Sequence, residues 1–302
     1  MYKGIHKTVL LQQTIDNLEI ANGDIIVDAT IGLAGHSREI AKRFGKKVKI
    51  IGFDLDRKAI KKAESVLEKE GADFVLIQNS FKNLDKALQQ IDISKVDGII
   101  FDLGWSTDQM KHSGRGLSFS QEEPLLMTLG DNQDEGQLTA STIVNSWDEE
   151  NIELILRIYG NERFSKRIAR NIVLARKEGQ IETTLDLVEI IGNSVPSWYR
   201  HSRIHFATKT FQALRIAVND EITALKNGLE KGFQILSGQG RMAVISFHQL
   251  EDRIVKLSFR EKVKEELAKL VNKKPIVPNK EELLENPSSR SAKLRIIEKY
   301  ES

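Results

Sequence analysis

The chain has 302 residues, of which 45 are Lys or Arg and 43 are Asp or Glu, so its formal net charge is only +2. This balance, with 40% hydrophobic residues, is typical of a globular protein of one or two domains and excludes disordered, collagen-like and coiled-coil chains. Cysteine is absent, which excludes disulfides, thiolate metal sites and cysteine nucleophiles. No apolar run approaches the 18 or so residues of a membrane helix, and the first residues lack the apolar core of a secretory signal. We therefore expect a cytoplasmic protein.

The first hundred residues alternate between strand-like and helix-like patterns. Short apolar runs predict four strands, at residues 24–30, 47–54, 74–78 and 96–103. The stretches between them predict helices at 36–44, 57–70 and 81–90. Short apolar strands that alternate with helices predict βαβ units, and hence a mostly parallel sheet covered by helices on both faces.

The alternation stops after residue 104. A stretch rich in glycine, serine and acidic residues follows to about residue 140 and is predicted to be a long loop. The remaining pattern predicts helices at 147–159, 162–177, 183–193 and 208–231, a strand at 241–248, a helix from about 250, and a strand at 291–298. We predict a discontinuous α/β domain, residues 1–110 and 207–302, interrupted by an inserted helical domain, residues 111–206.

The charges are unevenly distributed along the chain. Residues 111–155 contain two basic and nine acidic residues, whereas residues 156–215 contain eleven basic and five acidic ones, with His201 and His205 besides. Such segregation is expected of a protein that presents one face to a polyanion, and it is equally compatible with ordinary solvated helix faces.

Candidate ligand-binding residues lie where the predicted strands end, because open parallel sheets bind ligands beyond the carboxyl ends of their strands. The loop after the first strand contains Gly32 and Gly35 but not the Gly-x-Gly-x-x-Gly pattern of nicotinamide and flavin sites, and no Walker motif is present. Asp54 ends the second strand, where a carboxylate can accept hydrogen bonds from both hydroxyls of a ribose. A ribose without a pyrophosphate site indicates S-adenosylmethionine, although Asp54 alone could also be a helix N-cap.

The fourth strand ends in Asp102-Leu-Gly-Trp105. In methyltransferases that act on the exocyclic amines of bases, this position carries an acid or an amide, a tight turn and an aromatic residue. Asp102 could accept the amine hydrogens, and Trp105 could stack on an extruded base, so we predict both to be catalytic. Trp105 could instead be a core or domain-interface residue. The absence of cysteine argues against methylation of cytosine at C5, which normally needs a cysteine nucleophile.

At these residues the sequence resembles the family of bacterial 16S ribosomal RNA cytosine-N4 methyltransferases. The resemblance covers nearly the whole chain and is carried by eight runs of sequence. These are His6-Lys-Thr-Val-Leu-Leu, Asp28-Ala-Thr-Ile-Gly-Leu-Ala-Gly-His36, Asp102-Leu-Gly-Trp-Ser, Arg115-Gly-Leu-Ser-Phe119, Asn161-Glu-Arg-Phe-Ser-Lys-Arg-Ile-Ala-Arg170, Thr208-Lys-Thr-Phe-Gln-Ala-Leu-Arg-Ile-Ala-Val-Asn219, Ser246-Phe-His-Gln-Leu-Glu-Asp-Arg-Ile-Val-Lys256 and Ser289-Arg-Ser-Ala-Lys-Leu-Arg295.

The resemblance implies a class I S-adenosylmethionine-dependent methyltransferase domain with an inserted all-helical domain. It also implies methyl transfer to N4 of a cytosine in the decoding centre of the small ribosomal subunit, with no metal, membrane or DNA, and it is compatible with a homo-oligomer. The implied cofactor-binding residues are Ala34, Gly35, His36, Asp54, Phe81, Asp102 and Gln109. We expect His36 to bind through its backbone or to cap the helix rather than to act as a base. Phe81 could flank the adenine or simply pack in the core.

A cluster of basic residues is the predicted RNA-binding surface. Arg163, Lys166, Arg167 and Arg170 recur at spacings of three and four, so several share one helical face. The residues predicted to bind ribosomal RNA phosphates are Arg163, Lys166, Arg167, Arg170, Arg200, Arg203 and Lys209. Alternatively, Arg163 or Arg170 could pair with Glu162 or with the acidic loop.

Five positions depart from the family pattern. Ala34 replaces the usual glycine, a mild change if its φ is negative, and Phe206 and Gln249 replace a usual proline and serine. Leu126 and Thr128 replace the usual Asp and Arg. The last two are the basis of an alternative function: a divergent, non-catalytic paralogue that binds ribosomal RNA or the small subunit. An NAD-dependent oxidoreductase is a more remote alternative.

Overall fold

A computed structural model describes residues 7–104, 114–129 and 136–301. The chain divides into two compact units, one of residues 1–104 and 222–302 and the other of residues 105–221. The second unit ends at residue 221, later than the predicted boundary between residues 206 and 207. The reason is that the helix that starts at Thr208 packs its apolar residues, among them Phe211 and Leu214, into the core of the second unit.

The first unit is built on a seven-stranded sheet in the order β3-β2-β1-β4-β5-β7-β6. Its strands are β1 (Ile25–Asp28), β2 (Lys49–Asp54), β3 (Asp73–Gln78), β4 (Val96–Asp102), β5 (Leu236–Ser246), β6 (Ala268–Leu270) and β7 (Lys293–Lys299). The first five strands pair in parallel, and β7 lies antiparallel to both β5 and β6. A doubly wound order with one antiparallel strand near the edge is the topology of class I methyltransferases, which confirms the predicted fold class.

Helices cover this sheet and also build the second unit. They are α1 (Leu11–Leu18), α2 (Gly35–Phe44), α3 (Arg57–Lys69), α4 (Leu84–Gln89), α5 (Ala140–Ser146), α6 (Glu149–Ile158), α7 (Ser165–Glu178), α8 (Thr184–Ser194), α9 (Ser197–Arg200), α10 (Thr208–Asn219), α11 (Glu221–Ile235), α12 (Gln249–Lys264) and α13 (Lys280–Glu285). Within the described residues, every regular element of the second unit is a helix, as predicted for the insertion. No helix among the described residues is long and apolar enough to cross a membrane.

The predicted helix at 208–231 is wrong in one respect, because the structure has two helices there. Asp220 adopts the left-handed conformation, with φ 47°, and separates α10 from α11. The guanidinium of Arg215 pairs across this break with the carboxylate of Glu221 at 2.8 Å. A further difference is that β5 begins at Leu236, before the predicted residue 241. The elements that were not predicted are α1, α5, α9, β6 and α13, and α9 replaces a predicted loop.

Alternate residues of the central strands point to opposite faces of the sheet, as pleated strands require. Phe53, Ile99 and Phe101 belong to one buried cluster, which α11 covers. Ile50 and Ile100 belong to the cluster on the other face, which α2 covers. Since both faces are buried, the strands are nearly continuous apolar runs, and the polar residues are left at the strand ends.

Candidate active site

Three carboxylates lie at the same edge of the sheet. Asp28, Asp54 and Asp102 are the last residues of β1, β2 and β4, which are neighbours in the sheet and run parallel. The chain after β1 crosses this edge, since the Ala29 N–H donates to the Ile100 carbonyl at 2.8 Å and the Ile31 N–H donates to the Phe53 carbonyl at 2.8 Å. The edge is therefore a single polar surface, to which the three strands bring the acids.

Asp54 connects the loop after β1 to the loop after β2. One of its carboxylate oxygens accepts the N–H of Gly32 at 3.0 Å, and the other accepts the N–H of Asp56 at 2.8 Å. The N-cap of α3 is Asp56, whose side chain accepts the N–H of Lys58, so the alternative reading of Asp54 as the N-cap is wrong. Burial raises the pKa of Asp54, while its backbone hydrogen bonds act in the opposite direction.

The loop after β1 turns sharply into α2. Ala34 is its N-cap residue, fully buried, with φ 59° and ψ 32°, so the expectation of a mild change with negative φ is wrong. At Gly35 a side chain is excluded, because a Cβ there would lie 1.8 Å from the hydroxyl oxygen of Thr8. The first N–H groups of α2 have no partners inside the helix, as at the start of any α-helix.

His36 is buried in the first turn of α2 rather than at its cap. Its Nδ1 atom lies 3.8 Å from a carboxylate oxygen of Asp102, beyond hydrogen-bond distance. The N-cap position is taken by Ala34, and no side chain caps this helix, so the alternative that His36 caps it is wrong, and binding through the His36 backbone stays a prediction. Neighbouring Ser37 donates its hydroxyl to Asp28 at 2.7 Å, which ties the helix to the end of β1.

Asp102 is held from two sides. Its N–H donates to the hydroxyl of Thr30 at 2.7 Å, and its carboxylate accepts the N–H of Gly104 at 3.4 Å. The pKa of Asp102 is raised to about 7, mainly by burial and to a smaller extent by the charges of Asp28 and Glu251, while the Gly104 hydrogen bond opposes the shift. Burial likewise raises the pKa of Asp28 to about 6, against hydrogen bonds from Ser37 and Thr30.

The loop after β5 supports the Asp102 turn and was not predicted to belong to the site. Phe247 packs so closely on Gly104 that a Cβ there would lie 2.6 Å from the ring. His248 is the N-cap of α12 and forms a capping box with Glu251, whose carboxylate accepts the N–H of Phe247 at 2.9 Å. In the sequence, the family motif Ser246–Lys256 is the feature from which this loop could have been assigned to the site.

Phe81 lies after β3, at the start of a 3₁₀ turn, Phe81–Asn83. Its ring meets Phe101 edge-on with centroids 5.5 Å apart, and a Cβ on Gly228 would lie 2.7 Å from it. The ring thus packs against the sheet and α11, while a contact with adenine stays a prediction. Trp105 and Gln109 lie outside the described residues.

The sequence profile of the MraW methylase family matches residues 3–300. The chain belongs to this family. It is 44% identical to ribosomal RNA small subunit methyltransferase H of Clostridium botulinum (strain Kyoto / Type A2), over 97% of this chain and 98% of that protein. The protein of the same name from Persephonella marina is 45% identical over 97% of this chain and 99% of its own length. A solved SAM-dependent O-methyltransferase from Thermotoga maritima aligns with a TM-score of 0.43 at 12% identity, over 98% of this chain and 68% of that one.

Membership of a methylase family confirms the predicted methyltransferase activity and S-adenosylmethionine as the cofactor, and it excludes the oxidoreductase alternative. The polar edge fits this cofactor chemically. A carboxylate such as that of Asp54 is able to accept hydrogen bonds from ribose hydroxyls, and a helix N-terminus such as that of α2 favours an anionic group, as S-adenosylmethionine has in its carboxylate. The edge carries the carboxylates of Asp28, Asp54 and Asp102. Among the described residues assigned above to this edge, none is a Lys or Arg that could hold a pyrophosphate.

The basic residues predicted to bind RNA all lie in the helical unit. Arg163, Lys166, Arg167 and Arg170 are exposed, at the start of α7. Within the described residues none of the four forms an ion pair, and Glu162 is buried, with its carboxylate accepting the Phe164 N–H and the Tyr199 hydroxyl. The alternative in which Arg163 or Arg170 pairs with Glu162 is therefore wrong. Part of the acidic loop lies outside the described residues, so the alternative pairing with that loop is not tested.

An aromatic neighbour of this surface was missed by the sequence analysis. The guanidinium of Arg163 lies 5.4 Å from the ring centroid of Trp198, which is 60% exposed. Arg200 and Arg203, close in sequence to Trp198, are also exposed. Lys209 differs from the others, because its ammonium donates to the Asn161 carbonyl at 3.1 Å and helps to hold the turn before α7.

The left-handed backbone of Ala34 predicts a stabilising substitution. Ala34→Gly should raise the free energy of unfolding by about 1 kcal/mol, because removing the strain of an L-residue at positive φ outweighs the extra entropy of glycine in the unfolded chain. Urea unfolding measures the effect. Ala224→Gly inside α11 is the control and should lower stability by about 1 kcal/mol. A loss of stability in Ala34→Gly would contradict the argument.

The raised pKa of Asp102 predicts a stability that falls with pH. Since the folded state binds this proton more tightly than the unfolded chain, the contribution is present below about pH 4 and is lost as the pH rises through about 7. Asp102→Asn should therefore be more stable than wild type at pH 8, by roughly 1–4 kcal/mol, and nearly equal at pH 4. Denaturant titrations at both pH values test this. Exposed Asp73→Asn should show no such pH-dependent gain, and equal changes in the two variants would refute the prediction.

Proposed function

We propose that this protein transfers the methyl group of S-adenosylmethionine to the exocyclic N4 of a cytosine in the decoding centre of 16S ribosomal RNA. The observation that carries the proposal is the partly buried Asp102, whose backbone N–H is bound by Thr30 and whose carboxylate accepts the Gly104 N–H, on the same polar edge as the Asp54 carboxylate. The relatives described above are named ribosomal RNA small subunit methyltransferases, which supports ribosomal RNA as the substrate.

The amine of cytosine is a poor nucleophile because its lone pair is delocalised into the ring. An acceptor for the amine hydrogens localises this pair, and Asp102 supplies the acceptor oxygens. The cofactor supplies the electrophilic methyl group. Once methylated, the nitrogen carries a positive charge and is acidic, so its proton passes readily to a carboxylate oxygen of Asp102, whose pKa is about 7, or to water. Trp105 is proposed to stack on the extruded base.

The cofactor-binding residues are proposed from the same edge. Asp54 accepts from the ribose hydroxyls while keeping its backbone bonds to Gly32 and Asp56. Ala34, Gly35 and His36 contribute the first turn of α2. Phe81 is placed beside the adenine, and Gln109 is proposed to bind polar groups of the cofactor with its donor and acceptor atoms.

The departures at Leu126 and Thr128 lie outside the strands that carry the acids of the polar edge. Both lie in the helical unit, where Thr128 is buried. Asn219 holds this segment, accepting the Leu129 N–H at 2.8 Å and donating to the Met127 carbonyl at 2.8 Å. Because the hydrogen bonds of this segment and the acids of the polar edge are both present, an active enzyme is favoured over a non-catalytic paralogue.

The proposed role of Asp102 predicts its mutant kinetics. Asp102→Ala should slow methyl transfer to purified small ribosomal subunits at least about a hundredfold, because it removes a well-placed electrostatic contact. Asp102→Asn should retain more activity, because its amide oxygen still accepts a hydrogen bond from the amine. Wild-type activity should be flat above neutral pH and fall below about pH 7, as Asp102 becomes protonated and loses the negative charge that strengthens its contact with the amine. The acid limb should be absent in Asp102→Asn.

Radioactive methyl incorporation and mass mapping of the rRNA measure these outcomes. Titration calorimetry with S-adenosylhomocysteine controls for cofactor binding, which Asp54→Ala should weaken by roughly 1.5–3 kcal/mol, since it removes hydrogen bonds to a charged group. Full activity of Asp102→Ala would overturn the role of this residue. A methyl group on C5 or on a ribose oxygen would overturn the proposed reaction, and the absence of any methyl transfer would favour the non-catalytic paralogue.

The exposed cations of α7 are proposed to bind rRNA phosphates together with Arg200, Arg203 and Lys209. The triple variant Arg163→Glu/Arg167→Glu/Arg170→Glu should flatten the dependence of log K on log salt concentration by roughly 2, because each lost phosphate contact removes about 0.7 to 0.9 from the slope. Lys273→Glu/Lys274→Glu/Lys280→Glu, which changes the same charge at exposed positions, is the matched control. Equal slopes for both triple variants would contradict this surface.

A further inference from the structure

One face of α12 carries a row of cations. A helix advances 100° per residue, so Arg253, Lys256, Arg260 and Lys264 fall within an arc of about 80°, and the row runs about 16 Å along the axis. We call these four residues the α12 stripe. Three of them are exposed and Lys256 is partly exposed.

The α12 stripe points away from the core. Val255 and Phe259 are buried beneath the helix on the opposite side. Asp252 fixes the first turn to β7 through Arg295 at 2.7 Å and Lys293 at 3.0 Å. The packing therefore holds the helix in one orientation and presents the cations outward.

The cations of the α12 stripe have no carboxylate partner among residues 7–104, 114–129 and 136–301, and no other side chain there accepts a hydrogen bond from them. Lys262 on the same helix behaves differently, since it pairs with Glu230 at 3.0 Å. Glu261 and Glu265 lie off the stripe by the same helical geometry. Four unpaired positive charges on one ordered face form a surface complementary to a chain of phosphates.

The α12 stripe starts beside the candidate active site. His248, the N-cap of α12, follows directly after Phe247, which packs on Gly104 in the Asp102 turn. The charge of Glu251, in the first turn, contributes to the raised pKa of Asp102. Arg253 follows within the next turn, so the row of cations leads from the acceptor carboxylate outward along the helix.

We infer that the α12 stripe binds the phosphates of the single-stranded RNA that flanks the target nucleotide. This inference rests on the proposed function and adds a phosphate-binding surface within the methyltransferase unit, separate from the cations of α7. A single strand suits this surface, because the target base has to leave its stack to reach Asp102 and its flanking backbone is then available to nearby cations.

The test compares the full-length triple variant Arg253→Glu/Arg260→Glu/Lys264→Glu with the control Lys273→Glu/Lys274→Glu/Lys280→Glu. The probes are 16S rRNA transcripts and purified small ribosomal subunits. The stripe variant should bind the transcript at least about tenfold more weakly at 100 mM salt, with the salt slope reduced by roughly 2, whereas the control should stay within about twofold of wild type. The neutral variant Arg253→Gln/Arg260→Gln/Lys264→Gln should show a smaller loss in the same direction.

Two further measurements separate this inference from the proposed function. Binding of S-adenosylhomocysteine and thermal unfolding should be unchanged in the stripe variant, which shows that the fold and the cofactor site persist. KM for the small subunit should rise while kcat at saturating subunit stays within about threefold of wild type. If wild type methylates the subunit and the stripe and control variants behave alike, the α12 stripe is not an RNA surface. If wild type neither binds nor methylates rRNA, the proposed function itself fails.

Discussion

The burial of carboxylates at one edge of a parallel sheet is the constraint on which the rest of the site depends. Asp28, Asp54 and Asp102 arrive together because their strands are parallel neighbours. Desolvation opposes their charges, and the structure offsets it with backbone N–H groups and hydroxyls, such as Gly32 on Asp54 and Ser37 on Asp28. The geometry of the first loop, the start of α2 and the Asp102 turn all follow from these hydrogen bonds.

The same burial connects stability to activity. The role proposed for Asp102 is served best by its ionised form, yet ionisation of this partly buried carboxyl near Asp28 and Glu251 lowers the stability of the fold. The apolar packing on the faces of the sheet, where Phe53 and Phe101 are fully buried, offsets this loss of stability. The balanced net charge hides an uneven distribution, because Asp28, Asp54 and Asp102 lie together at the polar edge, while exposed cations without an ion-pair partner among the described residues lie at the start of α7 and on the α12 stripe.

Much of the first unit could be predicted from sequence, because a strand that is buried on both faces must be a short apolar run, and its polar end residue then stands out. Asp54 and Asp102 were found in this way. The elements that were missed are short or depend on a single residue. The eight residues of α1 are too few for a clear helical period, and the break at Asp220 needs only one left-handed residue, which local sequence does not specify.

The sequence by itself determined the class of fold, the methyl donor and the strand-end acids, since these depend on local patterns and on motifs specific to one family. Only the tertiary structure decided the conformation of Ala34, the raised pKa of Asp102 and the support that Phe247 gives the Asp102 turn. Each of these depends on groups far apart in the chain: Thr8 lies against Gly35, and Glu251 acts on Asp102. Contacts between distant residues exist only once the chain has folded, and they set the burial and the electrostatic field that local sequence does not contain.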